Sequence, residues 1–225
     1  MNWTLIPLIP LLILLLPYCP SNCLSDGFDV DPEGYVMFCP CMGRFGNQIA
    51  QFLGAMSFAK ALNRTLILPH FVEYIPYQRG SLQIPFEDYF RYKSLNAYHK
   101  SLTMDFFMGT VGHQVFPKGR RISICYGPRH GSQEKEGESR SCNAKDGNPF
   151  GPYWDHFGID FDDSAFYGEK GLYYCRPGDS YMIERWKNVF PASEYPVLAF
   201  TGTPGAFPVE EPDVENQKLV LRVKF

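Results

Sequence analysis

The chain has 225 residues, with 21 Lys and Arg against 24 Asp and Glu, five His and seven Cys. A net charge of −3, 45% apolar residues and 16% aromatics describe an ordinary globular composition and exclude a disordered tail, a collagen-like repeat or a coiled coil. The balance also lacks the basic excess of a general nucleic-acid binder.

Met1 to Ser25 carries no charged side chain, and Leu5 to Leu16 reads LIPLIPLLILLL. A bilayer-spanning helix needs about 20 apolar residues, so this shorter run fits a signal-peptide core, with Ser21 and Cys23 as small residues before cleavage. Residues 1–23 are therefore expected to be a leader, a signal anchor being the alternative, and the remainder is expected to be lumenal or secreted. A body of roughly 200 residues can bury about 70% of its unfolded surface around one core.

Tyr35 to Cys39 is a short apolar run between Gly34 and Pro40, expected as a buried strand. Ile49, Phe52, Leu53, Met56, Ala59 and Leu62 then recur at helical spacing, with Gln48, Gln51 and Lys60 placed off that stripe. Asn63 is the expected helix end, and Thr65 to Leu68 the next strand, stopped by Pro69. Such a β-loop-α-β unit builds a parallel sheet with a right-handed crossover. Further strands are expected at Ile122 to Tyr126 and Val197 to Phe200, and helices near Thr103 to Val111 and Ser180 to Val189. The aromatic, Gly/Pro-rich stretches Asn148 to Trp154 and Thr201 to Pro208 read as connecting segments, with Trp154 in the core. Lys118 to Arg121 reads as a surface turn, and Gln133 to Glu138 as a solvated loop. The fold class is α/β.

Without the leader, Cys39, Cys41, Cys125, Cys142 and Cys175 remain. Counting does not fix their pairing. Sequence-local bridges, Cys39 with Cys41 and Cys125 with Cys142, are the expectation, leaving Cys175 spare. Zinc is the rival, but no second closely spaced pair or nearby His pair supports it. Asn63-Arg64-Thr65 is a glycosylation acceptor at the end of a helix, where a surface position is expected.

The turn Cys39-Pro40-Cys41-Met42-Gly43-Arg44-Phe45-Gly46-Asn47-Gln48 lies between a strand and a helix. Helix N-termini bind phosphates through unpaired N–H groups and a partial positive charge. Gly43 and Gly46 would admit a diphosphate close to the backbone, and Arg44 supplies a planar donor fork. Asn47 adds an uncharged donor and acceptor. The turn is neither a P-loop nor a G-x-G-x-x-G motif, and a tight turn would account for the glycines equally well. The rival is Asp160-Phe161-Asp162, a DxD spacing that can hold a divalent metal against a diphosphate. It lacks the preceding apolar strand and reads as a solvated acidic loop. His156 has no evident metal partner.

Phe38 to Gln48, Phe58-Ala59-Lys60, Leu62 to Thr65, Ala97-Tyr98-His99, Gly147 to Asp155, Pro196 to Phe200 and Phe207-Pro208-Val209 together closely resemble the protein O-fucosyltransferase family, in family order from about residue 35 to 218. Its members transfer fucose from GDP-fucose to Ser/Thr of EGF-like repeats of Notch-type proteins, with inversion. The resemblance implies a Rossmann-like first lobe of a GT-B glycosyltransferase over residues 24–217, in the endoplasmic reticulum lumen, with no metal or cofactor required beyond the donor GDP-fucose. Arg44, Phe45, Gly46 and Asn47 would then line the donor site, with Arg44 facing the diphosphate and Asn47, as catalytic residue, near the sugar and acceptor hydroxyl. The family's second lobe opens with a His-Leu-Arg segment. Here Arg222 follows a Leu without that His, and residues 218–225 read as a variant tail without a retention tetrapeptide. The expectation is thus a truncated first lobe with little turnover of its own. The alternative is a non-catalytic module that binds EGF-like repeats or does not fold stably.

Overall fold

A computed structural model describes residues 29–75, 80–129 and 140–201. The expected leader, the loop around Gln133 to Glu138, the stretch after Thr201 and the variant tail lie outside the described residues. In chain order the elements are β1 (Tyr35–Phe38), α1 (Phe45–Leu62), β2 (Thr65–Leu68), β3 (Phe71–Tyr74), β4 (Ser81–Ile84), α2 (Phe86–Tyr89), β5 (Ser101–Thr103), α3 (Met104–Gly109), α4 (Gly112–Val115), β6 (Ile122–Cys125), α5 (Phe150–His156), β7 (Asp163–Phe166), α6 (Ser180–Val189) and β8 (Val197–Phe200).

Six strands form one sheet in the order β5-β2-β1-β8-β6-β7, and every neighbouring pair is parallel. β1 sits near the middle, pairing Tyr35 with Thr65 on one side and with Val197 on the other. Helices cover both faces. Val36 and Phe38 pack with Phe52, Phe58 and Trp186 on one side; Tyr35 and Met37 pack with Phe107 and Trp154 on the other. Burial on two faces is why these strands read as unbroken apolar runs instead of alternating ones. The α/β expectation holds, as do the four expected strands and the core position of Trp154.

Several local expectations are corrected. Gln48 and Gln51, placed off the apolar stripe of α1, are both buried. α1 is enclosed on more of its circumference than a surface helix, because β3 and the turn before it pack over its first two turns. The acidic loop at Asp160 to Asp162 runs directly into a strand: Asp163 and Ser164 open β7, an edge strand paired with β6 from Ile122↔Asp163. An edge strand tolerates polar residues that an interior one would not. The stretch Asn148 to Trp154 contributes α5, with Pro152 in its first turn, where no intrahelical N–H bond is lost. Phe71 to Ile84 contains an antiparallel hairpin, β3 with β4, outside the main sheet. Arg121, read as part of a surface turn, is buried; its guanidinium donates to the carbonyls of Phe116 at 3.0 Å and Gly158 at 2.8 Å.

Asn63 ends α1 in the left-handed conformation, φ 57°, which asparagine adopts more readily than most residues. Arg64 then turns inward and donates to the carbonyls of Tyr195 (2.7 Å) and Phe190 (2.6 Å), tying α1 to the end of α6. Burial lowers its pKa to about 10, with Glu33 and Asp31 acting in the opposite direction.

Candidate functional site

In an open parallel sheet, ligands bind beyond the carboxyl ends of the strands, where the strand order reverses. From β1 the chain proceeds through α1 to β2 on one side, whereas β8 flanks β1 on the other. The reversal therefore lies between β1 and β8. The loop Cys39 to Arg44 leaves β1 at that point, and Thr201 leaves β8 beside it. Residues 42–47 are all exposed. The turn singled out from sequence thus faces solvent and is not packed inside.

Its shape follows from its residues. The Cys39–Cys41 bridge closes the start of the loop, and both cysteines are buried. Gly43 has φ +73°, and a Cβ there would lie 2.1 Å from Asn47 Nδ2. Only glycine accommodates both the backbone and the asparagine. Gly46 is different: a Cβ added there would meet nothing within 4 Å. Packing does not require glycine at that position, which leaves the first turn of α1 bare.

The helix end is also electrically uncompensated. Arg44 occupies the N-cap position, no side chain caps the helix, and its first turn contains no acidic residue. Caps and first-turn carboxylates normally satisfy or neutralise this end. Among the described residues, no acceptor takes the backbone N–H of any residue from Met42 to Asn47; the first such bond is Gln48 N to Arg44 O at 3.1 Å. Among the described residues, six consecutive amides without an acceptor, the amino end of an 18-residue helix and Arg44 thus lie in one exposed segment. This arrangement suits a diphosphate. Phe45 contributes less side chain than expected: its ring packs against Tyr89 (centroids 4.9 Å) and Phe71 (5.5 Å), leaving 43% exposed.

The loop is held from behind by residues that the sequence reading missed. Gln48 Nε2 donates to Val72 O (2.8 Å) and Gly43 O (3.3 Å), while its Oε1 accepts from Val72 N (2.8 Å). Gln51 Nε2 donates to Met42 O at 2.7 Å. Tyr74 OH lies 3.5 Å from Cys41 O, and burial raises its pKa against the opposing influence of Arg44. Tyr153 OH donates to Phe38 O at 3.2 Å from the opposite face. Two glutamines three residues apart at the start of an apolar helix were the available signal.

The DxD pair belongs elsewhere. Asp160 pairs with Lys145, which holds its carboxyl below the usual range, and Asp162 Oδ2 accepts from Arg121 N at 2.9 Å. Both precede β7, so they sit at the amino-terminal edge of the sheet, opposite the loop. A cavity of about 580 Å³ also opens at that edge, lined by Phe116, Arg120, Asp162 and Glu194 among others. Among the described residues no group of three or more His, Cys, Asp or Glu is placed to hold a metal ion. His156 lies against His70 (ring centroids 5.4 Å), and burial lowers its pKa, with His70 adding to that. The bridges Cys39–Cys41 and Cys125–Cys142 form as expected. Cys175 is a free, buried thiol whose pKa burial pushes up to about 12. Asn63 is exposed at its helix end.

Comparison with known proteins decides the lineage. Residues 35–222 match the family model for GDP-fucose protein O-fucosyltransferase. The chain belongs to that family. It is 42% identical over 182 residues to GDP-fucose protein O-fucosyltransferase 1 of Caenorhabditis elegans, covering 80% of this chain and 45% of that protein. It superimposes on crystal structures of POFUT1 in complex with GDP-fucose (TM-score 0.70, 40% identity) and with GDP (TM-score 0.69, 42% identity). Each match covers 77% of this chain, and 47% and 48% of those structures respectively. The chain thus spans about half the length of the relatives that it matches.

Proposed function

We propose that this chain provides the donor-binding wall of a peptide O-fucosyltransferase, which moves fucose from GDP-fucose to a Ser or Thr hydroxyl of an EGF-like repeat. The observation that carries this reading is the row of amides from Met42 to Asn47 that have no acceptor among the described residues, with Arg44 in their midst, at the carboxyl-edge reversal between β1 and β8. Support comes from the family match and from the GDP-fucose and GDP bound in the solved POFUT1 structures.

In the transfer, the bond between fucose C1 and the β-phosphate oxygen breaks with its electron pair leaving on GDP, and the acceptor oxygen, giving up its proton to water, bonds to C1 on the opposite face. Negative charge grows on the departing diphosphate. Fixed N–H groups and the Arg44 guanidinium are pre-oriented for that charge and stabilise it without reorganisation. Asn47, which lies against Gly43, is assigned the role of orienting the sugar and the acceptor hydroxyl for in-line attack. No step of this scheme is routed through a metal: the amides supply hydrogen bonds and Arg44 a positive charge to the diphosphate. The chain is assigned to the endoplasmic reticulum lumen, consistent with its two disulfides and with Asn63 as a glycan site.

The matching relatives are about twice as long, so the opposite wall of the cleft and its catalytic groups are assigned to sequence outside this match. The test is a pair of assays on the purified chain: GDP binding, and fucose transfer to an EGF-like repeat. GDP binding that is lost in Arg44→Ala, with turnover far below that of a full-length relative, is expected. Turnover at full-length levels would overturn the divided-site reading. Binding of the EGF-like repeat without any GDP binding would favour a non-catalytic module.

A further inference from the structure

We infer that Gln48 and Gln51 are positioning residues that fix which way the peptide units of the donor loop face; this rests on the donor-site reading above. The reasoning starts from the planarity of the peptide bond. In a trans peptide the C=O of residue i and the N–H of residue i+1 point in opposite directions. Holding one of them determines the other. Gln51 Nε2 holds Met42 O at 2.7 Å, and Gln48 Nε2 reaches Gly43 O at 3.3 Å. The N–H groups of Gly43 and Arg44 must therefore point away from α1, on the side where residues 42–47 are exposed.

Without these bonds the two peptide units could flip. A flip would present carbonyl oxygens to the crevice, and carbonyl dipoles repel a diphosphate. Glycine makes the flip easy, since Gly43 lacks the Cβ that would bias its backbone. The loop therefore needs an external constraint. Gln48 is suited to supply it because its own amide is fixed twice by the backbone of Val72, at 2.8 Å in each direction. In effect Gln48 occupies the place of a neighbouring strand beside β3 and transmits the position of β3 to the loop. Burial of both glutamines explains why amides stand in an otherwise apolar helix: each buried polar group must find a partner, and these find carbonyls of the loop and of β3.

The test uses amide NMR of the 225-residue chain titrated with GDP, reading the signals of residues 42–47. Gln51→Met keeps the side-chain volume and removes the donor to Met42 O. It is expected to weaken GDP binding about five- to tenfold, the worth of a hydrogen bond whose loss frees one peptide unit. Asp179→Ala, which removes the α6 cap far from the loop, serves as a control of similar stability loss and should leave GDP affinity unchanged. Because Gln51 is inferred to act through the loop that carries Arg44, the loss caused by Arg44→Ala should be smaller in the Gln51→Met background than alone. Gln48→Met should behave likewise; if it fails to fold, Gln51→Met still decides the matter. Arg44→Ala weakening GDP binding while Gln51→Met matches the Asp179→Ala control would overturn the inference alone. Strict additivity of Arg44→Ala and Gln51→Met would do the same. No GDP binding by the unsubstituted chain, or none lost in Arg44→Ala, would overturn the donor-site reading and this inference with it.

Discussion

Gly46→Ala separates folding from binding at the candidate site. A Cβ at Gly46 meets nothing within 4 Å, and the residue lies in the first turn of an 18-residue helix. Replacing glycine by alanine in a helix without a clash is favourable by about 0.5–1 kcal/mol, because the unfolded chain loses freedom that it would otherwise give up on folding. For a domain of this size that corresponds to a rise in melting temperature of about 1–4 °C. The same methyl group would stand on the exposed face, where a phosphate oxygen must come within about 3 Å of the backbone N–H. Loss of one hydrogen bond to a charged group costs about 1.5–3 kcal/mol, so GDP affinity should fall about tenfold or more. Differential scanning fluorimetry gives the first quantity and calorimetric titration with GDP the second. A variant that is both more stable and bound to GDP as tightly as the parent would refute the seating of a diphosphate on this helix end. Gly43→Ala is the contrast. There φ is +73° and the new Cβ would collide with Asn47 Nδ2 at 2.1 Å, so both stability and affinity should fall, the former by about 1–2 kcal/mol.

Other regions make separate claims. Asp31 accepts hydrogen bonds from Lys100 Nζ (2.7 Å), Thr65 Oγ1 (2.6 Å) and Glu33 N (3.0 Å); Asp31→Asn should lower stability by about 1–3 kcal/mol in urea unfolding. Burial alone would raise the Asp31 pKa, but bonds from Lys100, Thr65 and Glu33 outweigh it and leave it lowered from 3.8. Its contribution should therefore persist at neutral pH and disappear only as pH falls below the ordinary carboxylate range, and Asp31→Asn should flatten that part of the acid-unfolding profile. Removing the Cys125–Cys142 bridge by Cys142→Ser releases a 17-residue separation and should cost about 3 kcal/mol, seen as a melting temperature lower by about 6–12 °C. Expressed through a eukaryotic secretory pathway, the chain should carry a glycan on Asn63, detected as a mass increment that a peptide N-glycosidase removes and that Asn63→Gln abolishes.

Much of this molecule was legible in one dimension. Strands buried on both faces announce themselves as short apolar runs, so Tyr35 to Phe38, Thr65 to Leu68 and Val197 to Phe200 could be read directly, and Asn63 marked the end of α1 because asparagine tolerates the left-handed conformation found there. The glycines and Arg44 of the turn raised a phosphate-type site through local chemistry, although a tight turn would account for the glycines equally well. What remained hidden depended on partners distant in sequence. β7 begins with Asp163 and Ser164, and only an edge position beside β6 makes such residues strand-forming. Gln48 looks like a solvent-facing residue until β3, more than 20 positions later, returns to pair with its amide, and Gln51 looks so until the loop carbonyl of Met42 takes up its donor. Arg64 and Arg121 resemble surface cations, but carbonyls brought by α6, α4 and the end of α5 enclose both guanidiniums. Periodicity reports how a segment meets its immediate surroundings; which carbonyl completes a buried amide or guanidinium is decided only when remote segments pack, and the bonds that tie the Cys39 to Arg44 loop to Gln48 and Gln51 belong to that second kind.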